Sequence, residues 1–309
     1  MAPSLAEKLM MGTSGICLYG FAPPKRSTPA DQLHAIVEHQ LARFKSLPLD
    51  GVIIYDIQDE AERISDPRPF PFLPTIDPET YADQHLCALT LPKIVYRCIG
   101  RDTVDTFTQW IQRAKSSPTP RISVLVGAPS RCSRVTLHLN DAYGLVQQHS
   151  ANLLIGGVAI AERHGKRFDE HRRILTKSQA GCSFFVTQAI YDVASTKSLL
   201  SDYALALSET ASQPQPIILT FSPCGTVKTL EFMKWLGISF PRWLENDLRF
   251  ASNPLAESVD CCERIFVEVL EYAREKQIPV GVNVESISIR KAEIEASVAL
   301  LQRLYACMH

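Results

Sequence analysis

Residues 15–56 read GICLYGFAPPKRSTPADQLHAIVEHQLARFKSLPLDGVIIYD. Its two ends, GICLYG (15–20) and GVIIYD (51–56), are short apolar, β-branched runs that stop at glycine or a charged residue, as buried strands do. Between them Leu33, Ile36, Val37, Leu41 and Phe44 recur at helical spacing and share one face. Thr28 is placed to cap the free amides at the start of that helix, and Pro29 falls in its first turn, where a missing N–H costs nothing. Strands apolar along their whole length, joined by an amphipathic helix, predict a parallel pair covered on both faces.

The unit repeats. KIVYR (93–97), RISVLV (121–126), LLIGGVA (153–159), FFVTQ (184–188), PIILTF (216–221) and PVGVNV (279–284) bring the strand count to eight. Eight such units predict an α/β chain folded as a single (β/α)8 TIM barrel over residues 1–309, a length that one closed barrel commonly uses. The longest interval precedes the last strand and holds two helical stretches, 227–236 and 257–276; the second carries Val259, Cys262, Ile265, Phe266, Val269 and Ala273 on one stripe. Residues 66–78, DPRPFPFLPTIDP, hold five prolines in thirteen positions and read as a loop folded over one barrel end.

Composition excludes several classes. The chain has 32 Lys plus Arg against 33 Asp plus Glu, a net charge of -1, which does not suit binding through nucleic-acid phosphates. With 46% hydrophobic and 21% charged residues it can bury a sizeable core. No apolar run reaches the ~18 residues of a membrane span, and the opening residues lack a secretory pattern, so a cytoplasmic protein is expected. Nine cysteines, an odd count without a CxxC pair, read as reduced thiols; adjacent Cys261 and Cys262 have the wrong spacing to share a metal, and no metal centre is expected. Phosphate-cradling glycine motifs are absent from the sequence.

In such a barrel the chemistry gathers where the strands end. The residues there include Tyr19, Gly20, Tyr55, Asp56, Gln58, Tyr96, Arg97, Glu162, His164, Gln188, Tyr191, Ser222, Asn283 and Glu285. Amides, carboxylates, hydroxyls and an imidazole with few cations suit a polar heterocycle read through hydrogen bonds.

FFVTQAIYD (184–192), preceded by KSQAG (177–181), resembles the F-x-x-T-Q-x-x-Y/F-D signature of the methylenetetrahydrofolate reductase family. GVAIAERH (157–164) is similar to that family's G-V-A-x-Y-P-E-x-H, and YGFAPPK (19–25) to its F-E-F-F-P-P-K opening. IILTFSP (217–223) and LGISFP (236–241) continue the likeness in the same order over nearly the whole chain. The resemblance implies a barrel that holds FAD and receives NAD(P)H and a folate in turn. By position, Tyr55, His164 and Lys177 would contact the flavin. Gln188 would read the pterin with Tyr191 and Tyr19 beside it, since an amide offers both a donor and an acceptor to a fused-ring edge.

The departures are specific. Gly20 stands where the family has its acid, Val126, Gly127 and Ala128 stand where it has R-G-D, and Ile160 or Ala161 replaces its tyrosine. Glycine donates no proton, so Asp56, Glu162 and Glu285 are the replacement acids. Three functional classes follow. One is a divergent reductase that transfers hydride from NAD(P)H through FAD. Another is a flavin-free, folate-dependent one-carbon transferase or demethylase. The third is a non-catalytic folate-binding partner subunit. The expected partner is a tetrahydrofolate derivative, with neither nucleic acid nor membrane; a homo-oligomer is compatible, its order not set by sequence.

Overall fold

The computed structural model describes residues 3–60, 65–117, 119–128, 135–149 and 152–308. Eight strands, β1 (Cys17–Phe21), β2 (Gly51–Ile54), β3 (Lys93–Cys98), β4 (Arg121–Val126), β5 (Leu153–Ala159), β6 (Cys182–Ala189), β7 (Ile217–Phe221) and β8 (Val280–Glu285), pair in parallel in chain order and close into a ring. The helices are α1 (Leu5–Met10), α2 (Ala30–Lys45), α3 (Pro78–Thr80), α4 (Val104–Lys115), α5 (Leu139–His149), α6 (Ala161–Arg167), α7 (Glu170–Gln179), α8 (Val193–Thr210), α9 (Val227–Trp235), α10 (Arg242–Phe250), α11 (Pro254–Glu275) and α12 (Lys291–Met308). The (β/α)8 barrel expected from the strand count is the fold observed.

Strand parity sorts the side chains into two cores. Leu18, Ile53, Ile94, Ile122, Val124, Phe184, Val186 and Ile218 point into the ring, while Cys17, Tyr19, Phe21, Val52, Ile54 and Phe185 point outward under the helices. One end of the ring is plugged by α1, whose Leu5 and Leu9 are buried in the interior cluster. A capping box at Ser4 and Glu7 starts this helix, and Lys8 ties it to Asp50 at 2.5 Å, next to the first residue of β2. Gly51 makes the room: a Cβ there would lie 2.6 Å from Leu5 Cδ2.

Three local expectations need correction. Thr28 does not cap α2; the capping position belongs to Pro29, which offers no side-chain acceptor, and the Thr28 amide instead donates to the Lys25 carbonyl in a turn. Three helices, not two, fill the interval before β8. The extra one, α10, is short, and its apolar Leu244 and Leu248 fall in a run rich in charge. The amide of Ala256 donates to Asn253 at the start of α11, with Pro254 in its first turn, so this helix begins before residue 257.

The proline-rich stretch is irregular from Asp66 to Asp77, as expected. It is nonetheless held. Trp235 donates its indole N–H to the Asp66 carbonyl at 3.0 Å, and the Arg68 guanidinium lies 5.3 to 5.4 Å from the rings of Phe72, Phe232 and Trp235. A single antiparallel bridge joins Thr75 to Lys25, in the segment that follows β1. Residues 66–77 therefore form a strap that touches the end of α9 at one end and the segment after β1 at the other. The eight described cysteines are all free. Among the described residues no helix is long and apolar enough to cross a membrane.

Candidate active site

The carboxyl ends of β8, β1 and β2 form one wall of the mouth. Gly20 on β1 is the register partner of Glu285 on β8, so the glycine and the carboxylate stand side by side at the same height. Tyr55, the residue after β2, reaches across β1 through the space the glycine leaves. A Cβ at Gly20 would lie 2.8 Å from the Tyr55 hydroxyl and 3.0 Å from Asn283 Oδ1. Asn283 donates its side-chain N–H to the Tyr55 oxygen at 2.9 Å and to Thr220 Oγ1 on β7 at 3.2 Å. The Thr220 amide in turn donates to Thr187 Oγ1 on β6 at 2.9 Å. A polar belt thus runs from β6 to β2, with Tyr96 packed edge-on against Tyr55 at 4.9 Å.

Within this belt Asn283 Oδ1 is buried and accepts no hydrogen bond from the protein. A buried acceptor left unpaired is costly, which marks the spot as one where a donor is expected. Burial pushes the Glu285 carboxyl up to about 7, against the opposing pull of the neighbouring Tyr55 hydroxyl. Burial likewise holds the Tyr55 phenol well above its ordinary range. At neutral pH the Glu285 site therefore holds a proton part of the time, the property wanted of a general acid.

The other acids differ in setting. Asp56 turns away from the ring: its carboxylate accepts from the Cys98 amide at 2.7 Å and from Gln58 at 2.6 Å, tying β2 to β3. It borders a side cavity of about 230 Å³ with Asp77, Glu79, Arg97 and Trp110. Burial raises its pKa, partly offset by those two hydrogen bonds. Glu162 is buried at the start of α6, where burial pushes it up to about 7 and the Ser239 backbone amide opposes the shift. A larger cavity of about 720 Å³, bordered by Met10, Gly12 and Arg274, lies at the plugged end, away from the strand termini that carry chemistry in this architecture.

Gln188 stands at the rim, beside a register irregularity of β6 between Val186 and Ala189. Its amide donates to the Leu236 carbonyl at 2.8 Å, which ties β6 to the segment after α9. Among the described residues nothing donates to its carbonyl oxygen.

The remaining site candidates do not converge. Tyr19 points outward by parity; its hydroxyl pairs with Ser297 of α12 at 2.7 Å and its ring packs near Phe44. Tyr191 is buried behind the ring, donating to the Ser222 carbonyl at 2.6 Å and lying against Phe240. Both are thus taken out of the mouth by packing against the helical layer. His164 is fully buried between helices, 3.1 Å from Asp202 of α8. The Lys177 amine reaches the Val158 carbonyl at 2.7 Å from α7, and burial lowers its pKa. Tyr55, His164 and Lys177, the set carried over for FAD, therefore face three different surroundings and do not line one common pocket.

Asn283 and Tyr96 stand among the strand-end residues but were not singled out for a role, and Thr220 was missed. Counting in twos back from Glu285 and up from Ile94 places Asn283 and Tyr96 inside the ring, so strand parity was the available signal.

Comparison with known proteins places this geometry. No family model and no curated protein sequence matches the chain. The solved structure of an uncharacterized protein from Clostridium thermocellum that binds two copies of 5-methyl-5,6,7,8-tetrahydrofolic acid is 44% identical. The match covers 98% of this chain and 99% of that one, with a TM-score of 0.86. A GH113 β-1,4-mannanase superposes with a TM-score of 0.53 at 10% identity over 94% of this chain and 99% of its own, a likeness of fold alone. The chain belongs to the family of the Clostridium thermocellum protein.

Proposed function

We propose that this protein binds a reduced folate of the 5-methyltetrahydrofolate class at the mouth of the barrel and performs one-carbon chemistry on it, with Glu285 as the acid. The observation that carries the reading is the 44% identical relative that binds 5-methyl-5,6,7,8-tetrahydrofolic acid. The mouth has matching chemistry. Tyr55 and Tyr96 offer aromatic faces to a fused ring, the unpaired Asn283 Oδ1 and the Gln188 carbonyl offer acceptors to its N–H groups, and Glu285 sits beside them. A carboxyl that titrates near neutrality can hand a proton to a ring nitrogen as a carbon–nitrogen bond breaks. In the reductase family that the motifs resemble, the acid is on β1; here the proposed acid is its register neighbour on β8.

Calorimetric titration with 5-methyltetrahydrofolate tests the binding. Saturable binding to the wild-type chain, weakened by ~1 to 3 kcal/mol in Gln188→Ala, is expected. Absence of binding overturns the reading, and an unchanged dissociation constant removes Gln188 from the site.

A second reading, hydride transfer from NAD(P)H through FAD, draws on the motifs at 157–164 and 184–192. Bound flavin would colour the purified protein yellow, and oxidation of NAD(P)H coupled to a folate would follow. A colourless protein that binds folate favours the flavin-free reading; folate binding without turnover favours a non-catalytic partner subunit.

A further inference from the structure

His164, His171 and Asp202 meet outside the ring, brought together by α6, α7 and α8. One ligand-type atom of each lies within 4.8 Å of the other two. The His164 Nε2 to Asp202 Oδ2 separation is 3.1 Å, and the two imidazole rings are 5.4 Å apart at 79° to one another. A tetrahedral zinc ion with bonds of ~2.0 to 2.2 Å holds its ligand atoms roughly 3.4 Å apart, so the 3.1 Å edge need open only slightly and the others, within 4.8 Å, close by side-chain rotation. Asp202 and His171 are the more open members and have room to turn.

The histidine in the middle supplies the independent observation. His164 is 0% exposed, yet neither of its ring nitrogens makes a hydrogen bond, and His171 Nδ1 is buried and unpartnered as well. The close carboxylate oxygen lies off the line of the imidazole N–H, so it does not satisfy that group. A buried imidazole whose N–H and lone pair both lack partners is costly. A cation drawn to a ring lone pair gives the nitrogen a partner, and an oxygen from Asp202 offsets part of its charge. Two imidazoles and one carboxylate form a borderline-soft set that suits zinc, with water completing the coordination.

We propose that His164, His171 and Asp202 bind a single divalent transition-metal ion of the zinc class. The ion joins α6 and α7 to α8 across the helical layer behind β5 and β6. Its role is to fasten α6, which is only seven residues long and ends at Phe168 in the left-handed region (φ 53°), against its neighbours. The site is separate from the folate reading and stands or falls without it.

The test uses the full untagged chain, stripped with chelator and titrated with zinc chloride in a calorimeter, with cobalt(II) absorption as a second probe. One saturable site per chain and the visible bands of tetrahedral cobalt are expected. Loss of an outer-sphere partner typically weakens metal sites ~10- to 100-fold, so Asp202→Asn and His171→Gln should each weaken zinc by about 100-fold or more. Asp202 has a 41% exposed side chain, so that variant is expected to fold. Glu295→Gln, a 65% exposed acid paired with Lys291 on α12, should leave zinc affinity unchanged. Zinc should raise the melting temperature of the wild type and not that of Asp202→Asn. No saturable site, or equal affinity in Asp202→Asn and the wild type, overturns the proposal.

Discussion

The two ends of the barrel interior are built from the same strands and do opposite things. At the plugged end Leu5, Leu9, Ile16 and Leu18 pack into one buried apolar cluster. At the mouth the same inward parity presents Tyr55, Tyr96, Thr220, Asn283 and Glu285, with one acceptor unpaired and one carboxyl held near neutrality by burial. Buried apolar area stabilises the first end, whereas the second carries polar groups whose burial costs stability. The contrast teaches where the fold is held and where it gives up stability to keep polar groups buried.

The sharpest way to break that comparison is Glu285→Gln. If Glu285 is the acid, turnover of the folate substrate should fall ~10²- to 10⁴-fold while the dissociation constant for the folate changes little. Equal turnover in the variant and the wild type would leave the mouth without its acid. The same variant has a stability signature. Burial raises the folded carboxyl above its unfolded value, so the wild type is favoured below the unfolded pKa and loses that advantage as pH rises through about 7. Glu285→Gln should therefore melt higher than the wild type at pH 8 and show no such gain at pH 4, as read by calorimetric scans.

Next in size is the plug. Leu9→Ala should cost ~2 to 5 kcal/mol in denaturant unfolding because Leu9 is fully buried, yet leave folate affinity unaltered. A loss of affinity comparable to the loss of stability would show the two ends to be coupled. Gly20→Glu comes third. Restoring the acid of the resembling family places a Cβ against the Tyr55 ring and Asn283, so ~1 to 3 kcal/mol of destabilisation and no rise in turnover are expected. Turnover above the wild type would mean that Tyr55 vacates its place readily. Smallest is Tyr19→Phe, which removes a hydroxyl bonded to Ser297 behind the sheet. About 0.5 to 1.5 kcal/mol of stability should go, with folate binding untouched.

The eight strands were legible because each is a continuous apolar run, and the βαβ reading of residues 15–56 extends around the whole ring. What the runs did not show is which member of a strand-end pair faces inward. Tyr19 and Gly20 are adjacent, and only alternation from Leu18 sends the tyrosine to the helices and the glycine to the mouth. Glu285 was named from the strand end alone; its being level with Gly20 depends on the register of β1 against β8, a pairing of residues 265 positions apart by their numbers. The meeting of His164 with His171 and Asp202 was hidden for a similar reason. One partner lies on the next helix and the other beyond a strand, and helical spacing within one element says nothing about packing between elements.

The bond from Trp235 to the Asp66 carbonyl spans 169 residues. Contacts of such sequence separation pay their loop-closure entropy late, after the intervening strands have been laid down side by side. By the same reasoning the strap should be seated late, together with the closure of β8 onto β1, whose paired residues stand further apart still. With Trp110 and Trp243 replaced by phenylalanine, the indole of Trp235 would report that step by fluorescence, and its signal should trail the appearance of far-ultraviolet dichroism during refolding.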